Sequence, residues 1–170
     1  MPVPLDPSKY ESSPFFNPSD FIEYIRRLGK LGDCTAPEAV VLSYQNSLFD
    51  HVARTRKTTA AEGYFGKWLR YLDETDGRVA IAGRFGIGAP AAAVLLEELI
   101  AFGTRRFVSV GTAGSLRADL PPGSLVLCDS ALRDEGTSYH YLPDGGPAFP
   151  SEGLSRALEA ALARRGLAYR

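Results

Sequence analysis

Cysteine and histidine are scarce in this 170-residue chain, with two of each. Cys34 and Cys128 lie far apart and match neither a metal nor a redox spacing, which favours a reducing compartment over a secreted disulfide framework. His51 and His140 have no Cys or carboxylate partner at ligand spacing, so no metal site is expected. A formal net charge of −1 leaves no basic excess for nucleic acid or an anionic membrane. No apolar run approaches the length of a membrane span. Met1 to Pro7 lacks the basic start and apolar core of a signal peptide. Repeats and low-complexity tracts are absent as well. The expectation is a soluble, cytoplasmic protein without cofactor, nucleic-acid or membrane partners.

What is present reads as an arm and one domain. Residues 1–17 carry Pro2, Pro4, Pro7 and Pro14, which oppose a helix, while Phe15 and Phe16 offer apolar surface to bury. Residues 18–170 form the domain. Ser19 is the expected N-cap of a helix through Leu28, stopped by Gly29. Ala39–Leu42 reads as a buried strand, Leu48–Arg56 as a short helix, and Tyr64–Leu72 as an aromatic strand. Asp76-Gly77 signals a turn before a strand at Val79–Ala82. Pro90 suits a first helical turn, so a helix is predicted over Ala91–Phe102, ended by Gly103. Further strands are predicted at Phe107–Val110 and Ser124–Cys128. A helix from Ser151 to Gly166 follows, then the start of a strand at Leu167. Strands separated by helices make this an α/β fold with a mainly parallel core.

Three polar, Gly- or Ser/Thr-rich blocks follow apolar runs. They are Gly83-Arg84-Phe85-Gly86-Ile87-Gly88-Ala89-Pro90, Val110-Gly111-Thr112-Ala113-Gly114-Ser115-Leu116 and Arg133-Asp134-Glu135-Gly136-Thr137-Ser138-Tyr139-His140. Glycine lets backbone approach a small polar ligand closely at strand ends. Gly86 to Ala91 formally fits a Gly-x-Gly-x-x-Ala dinucleotide fingerprint. No carboxylate ends the next strand to hold a ribose, so that reading is the weakest. Adjacent Asp134 and Glu135 point to opposite faces of an extended chain, unlike an acid/base pair. Trp68, among Tyr64, Phe65 and Tyr71, reads as core or interface.

Together the three blocks, from about Val79 to Pro143, resemble the uridine phosphorylase branch of the nucleoside phosphorylases. The resemblance implies a three-layer α/β sandwich around a mixed, mainly parallel sheet. It also implies a glycosyltransferase that cleaves the N-glycosidic bond of a nucleoside, here a pyrimidine nucleoside, with inorganic phosphate. Such proteins are homo-oligomers, so a dimer or hexamer is expected. Positive charge grows on the ribose and negative charge on the departing base during that reaction, and held anions and donors stabilise each. By resemblance Gly86, Gly88, Ser109 and Thr112 lie on the phosphate and ribose side, and Ala113 and Gly114 beside the base. No catalytic residue is assigned.

The chain also departs from that pattern. A Gly-Asp-Pro-x-Arg loop of the family is replaced by Ser43-Tyr44-Gln45-Asn46-Ser47-Leu48, and Ser109 stands in place of a second phosphate arginine. A third arginine segment corresponds to Glu62-Gly63-Tyr64. Neither Ser nor Gln replaces the charge and twin hydrogen bonds of an arginine. Arg84 is the candidate compensating phosphate ligand. The resemblance further implies later elements that grip ribose and protonate the base, so the fold is expected to be incomplete at its C-terminus and residues 1–170 alone inactive. Two alternatives stay open. One is a nucleosidase using water, although Asp50 is the nearest carboxylate to activate it. The other is a non-catalytic nucleoside-binding derivative.

Overall fold

β-Branched and aliphatic residues at Ala39–Ser43 make β1, which lies between the other two parallel strands of a five-stranded sheet. The computed structural model describes residues 6–143 and 145–170, so Met1–Leu5 of the expected arm lie outside the described residues. The chain divides into two units, Ser12–Thr112 and a second made of Ala113–Arg170 with the segment up to Glu11.

In the first unit the elements run α1 (Pro18–Arg27), β1, α2 (Asn46–Thr55), β2 (Thr58–Ala60), β3 (Leu69–Leu72), β4 (Val79–Ala82), α3 (Ala89–Phe102) and β5 (Arg106–Val110). The sheet order is β2-β3-β4-β1-β5. β1 runs parallel to both β4 and β5, with Val41 opposite Ile81 and Val108. β3 pairs antiparallel with β2 and β4, so the sheet is mixed and its parallel part is the β4-β1-β5 core.

Strand alternation divides the residues between two faces. Val40, Leu42, Ala80 and Ala82 pack with Ile22 and Ile25 of α1 and Leu95 and Leu99 of α3 in one buried cluster. Each fully buried aliphatic side chain contributes about 1.5–3 kcal/mol. Ile81 faces the other way and is equally buried. Gly83, two residues further along, shares that face; a Cβ there would lie 2.6 Å from the Phe49 ring of α2. Thus α1 and α3 cover one face and α2 the other, which makes a three-layer α/β sandwich.

Several expectations shift locally. α1 is capped by Asn17, whose side chain accepts from the Ser19 and Asp20 amides while Asp20 accepts from the Asn17 amide. Ser19 is therefore inside the helix, because Pro18 needs no amide partner in the first turn. The expected strand at Tyr64–Leu72 keeps only Leu69–Leu72. Gly63–Lys67 forms a 3-10 turn instead, with Gly63 at φ 59° and Phe65 wholly buried. A Cβ at Gly63 would lie 2.4 Å from the Leu31 carbonyl carbon, so close backbone approach selects both glycine and turn. β2, two threonines and an alanine, carries too little apolar pattern to be predicted.

The second unit contains a 3-10 turn at Pro7–Tyr10, another at Ser138–His140, and α4 (Glu152–Arg164). The strand expected at Ser124–Cys128 is not a strand of the described sheet. Leu127 donates its amide to the Arg170 carbonyl and Arg170 donates to that of Leu125, one parallel step without further rungs. Leu125 and Val126 are 43% and 58% exposed, so no packed layer rewards their extension. Among the described residues, no helix is long and apolar enough to cross a membrane.

Candidate strand-end site

β1 ends in a turn that its own side chains build. Ser43, 1% exposed, donates its hydroxyl to the Gln45 carbonyl at 2.9 Å. The Tyr44 amide donates to the Val110 carbonyl, which extends the β1–β5 ladder by one rung. Gln45 then occupies the N-cap of α2 without capping it. Its side chain reaches across to β5 and donates from Nε2 to Thr112 Oγ1.

This places the predicted residues Ser109 and Thr112 beside two that sequence reasoning did not assign. Tyr44 Oη stands 3.5 Å from Ser109 Oγ, and the Tyr44 ring lies 3.6 Å from where a Gly111 Cβ would be. Tyr44 also packs edge-on against Phe85 at 5.4 Å between centroids, which ties the β1 turn to the Gly-rich loop. Gly86 and Gly88 hold φ of 101° and 95°, a region that L side chains rarely adopt. Gly88 is the N-cap of α3, with Pro90 in the first turn as expected.

Arg84 has φ 61°, unusual for a residue with a side chain. Its guanidinium donates to Asp50 Oδ1 at 2.5 Å and lies 5.5 Å from the Phe49 ring centroid. The candidate phosphate ligand is thus engaged by the same carboxylate that would serve a water nucleophile. Ala113 and Gly114 belong to the second unit; both are exposed, and no heavy atom lies within 4 Å of a Cβ built on Gly114.

The third block is bound up with itself. Glu135 accepts from the Thr137 and Ser138 amides at 2.7 and 3.0 Å. Hydrogen bonds from Ser138, first by its side chain, hold the Glu135 carboxyl below its ordinary range. Arg133 donates to Ser138 Oγ and the Leu142 carbonyl and stacks 4.7 Å from the Tyr139 ring centroid. Lys9 Nζ is 2.8 Å from His140 Nδ1, and Tyr10 donates to the Tyr139 carbonyl. Among the described residues no His, Cys, Asp and Glu cluster could hold a metal ion.

Separately, Tyr64, Trp68, Phe85, Val94 and Glu98 line a cavity of about 350 Å³ against α3. Tyr64 donates its hydroxyl to both Glu98 oxygens at 3.0 and 3.1 Å. Burial, then the Glu98 neighbour, pushes the Tyr64 phenol up to about 12; burial raises the Glu98 carboxyl too, against that hydrogen bond. The aromatic run around Trp68 was the available signal: Phe65 lies in the core, and Tyr64, Trp68 and Tyr71 pack against it partly buried.

Comparison with known proteins bears on the family and the fold. A uridine phosphorylase of Treponema pallidum is 42% identical over 76 residues, 45% of this chain and 30% of that protein. A guanosine phosphorylase of Halorubrum lacusprofundi is 43% identical over 65 residues, 38% of this chain and 27% of that protein. The matches thus span about a third or less of these relatives' length. The solved structure of an AMP nucleosidase from Bacteroides thetaiotaomicron shares the fold with a TM-score of 0.72 at 22% identity, covering 89% of this chain and 65% of that one. The pattern of the Phosphorylase superfamily matches residues 37–170, which include all five strands described above, and the chain belongs to that family.

Proposed function

We propose that the protein carrying this chain binds a nucleoside, uridine being the first to test, and cleaves its N-glycosidic bond. The observation that supports this is the gathering of Thr112, Ser109, Tyr44 and Gln45 at the carboxyl ends of β1 and β5. Open α/β sheets bind ligands in the crevice outside those ends, where strand order reverses about a central strand. Here β1 is that strand, with its two parallel neighbours arriving from opposite sides. Hydroxyls suit a ribose, and the first amides of α2 and α3 favour oxygen atoms.

The likeness to uridine phosphorylases supports phosphate as the group that accepts the sugar. A second reading, hydrolysis, is favoured by the engagement of Arg84 with Asp50, which takes the candidate cation out of a phosphate site. A homo-oligomer remains part of the proposal, since Phe15 and Phe16 are exposed. The test is release of free uracil from uridine, with and without phosphate, by a protein carrying this chain at its relatives' full length. Release in either condition bears out N-glycosidic cleavage, and its phosphate dependence separates the two readings. Silence towards uridine, inosine and adenosine rejects catalysis.

A further inference from the structure

The described side chains that Ser12–Thr112 gathers beyond β1 and β5, those of Tyr44, Gln45, Ser109 and Thr112, are uncharged. The Tyr44 ring covers Gly111, its hydroxyl faces Ser109, and the Gln45 amide occupies the Thr112 hydroxyl. Arg84 is committed to Asp50. A phosphate dianion held by these four side chains would shed hydration without a cation among them in return, and helix N-termini carry only partial charge. A neutral polyol loses far less on the same path. Its hydroxyls exchange with those of Ser109 and Thr112, and its apolar face can lie on the edge-packed Tyr44 and Phe85 rings.

We propose that Tyr44 and Gln45 determine specificity at this crevice, admitting an uncharged, hydroxyl-bearing ligand of the ribose class and excluding free phosphate. This rests on the reading of the strand ends as a nucleoside site, and within it on hydrolysis rather than transfer to phosphate, and goes further by naming what they refuse. Gln45 acts through its side-chain amide, which the helix start leaves uncommitted to capping. Tyr44 acts through bulk over Gly111.

The experiment is nuclear magnetic resonance on the 170-residue chain, following the Gly111 and Thr112 amides while ribose and inorganic phosphate are added separately. In the wild type, ribose shifts both amides saturably and phosphate leaves them in place up to about 50 mM. In the Tyr44→Gly, Gln45→Ala double variant, phosphate moves the same amides with at least about a tenfold gain in affinity. Tyr44→Phe keeps the ring and continues to exclude phosphate, and Gln45→Ala alone covers the case of a double variant that does not fold. Saturable phosphate binding by the wild type overturns the proposal. So does an equal phosphate response in wild type and Gln45→Ala when the double variant is unfolded, or silence to both probes in every chain. Absent uridine cleavage by the longer protein, by contrast, counts against the functional reading and leaves the ribose–phosphate contrast legible here.

Discussion

Gln45 and Thr112 are joined through their side chains across the ends of two parallel strands, sixty-seven positions apart in sequence. The bond spans the loop that follows β1 and the loop that follows β5. Thr112 is exposed and Gln45 half-buried, so the bond holds the crevice in shape and adds little to the fold.

Thr112→Ala is accordingly expected to weaken ribose or uridine binding severalfold while lowering stability by less than about 1 kcal/mol. Calorimetric titration and thermal unfolding of the same preparation read the two effects. A large loss of stability with unchanged binding would return Thr112 to a purely local backbone role.

Gly83→Ala should destabilise by about 1–3 kcal/mol, because the new methyl meets the Phe49 ring that covers the sheet. Chemical denaturation measures it, and Phe49→Leu in the same chain should recover part of the loss. Equal stability of wild type and Gly83→Ala would mean that α2 shifts freely on the sheet.

Tyr64 provides a pH signature. Its phenol rises from 10.0 to about 12 in the folded chain, so the folded state holds that proton more tightly. The stabilisation is complete below pH 10.0 and disappears as pH rises through about 12. Tyr64→Phe should remove this part of the alkaline decline. Tyr64 is only partly buried, so solvent screening is expected to keep the difference below about 1 kcal/mol. Urea unfolding at stepped pH compares the two slopes, and parallel slopes would refute it.

Much of the sheet was legible because apolar runs must be buried somewhere. Val40 and Leu42, or Ala80 and Ala82, announce strands without help from distant residues. Gly29 and Gly103 mark helix ends by positive φ at 66° and 134°, as expected. The 3-10 turn around Phe65 was not legible, since Leu31 imposes it from more than thirty positions away. Leu125 and Val126 show the converse: β propensity without a layer to pack against does not make a strand. At the site, Gly86, Gly88, Ser109 and Thr112 were marked by motif. Tyr44 and Gln45 were seen only as departures from one, because their meaning lies in partners contributed by β5 and the Gly-rich loop.

Phe15 and Phe16 suggest association. We expect at least a dimer by light scattering at tens of micromolar protein. Phe15→Ser with Phe16→Ser should shift the population towards monomer, since both rings are exposed in the single chain. A wild type that scatters as a monomer removes this part of the proposal.

The position of β1 has a consequence in time. It precedes the other strands of the described sheet in chain order, yet its hydrogen-bonding partners on either side are β4 and β5, which follow after α2, the β2–β3 ribbon and α3. Until Arg106–Val110 has emerged, one edge of β1 has no rung to fill, and Val41 lacks its neighbour Val108. Loop closure must therefore precede the contacts that reward it, a topology that slows folding. During synthesis the nascent chain carries β1 with a bare edge, the state in which strands pair with the wrong neighbour.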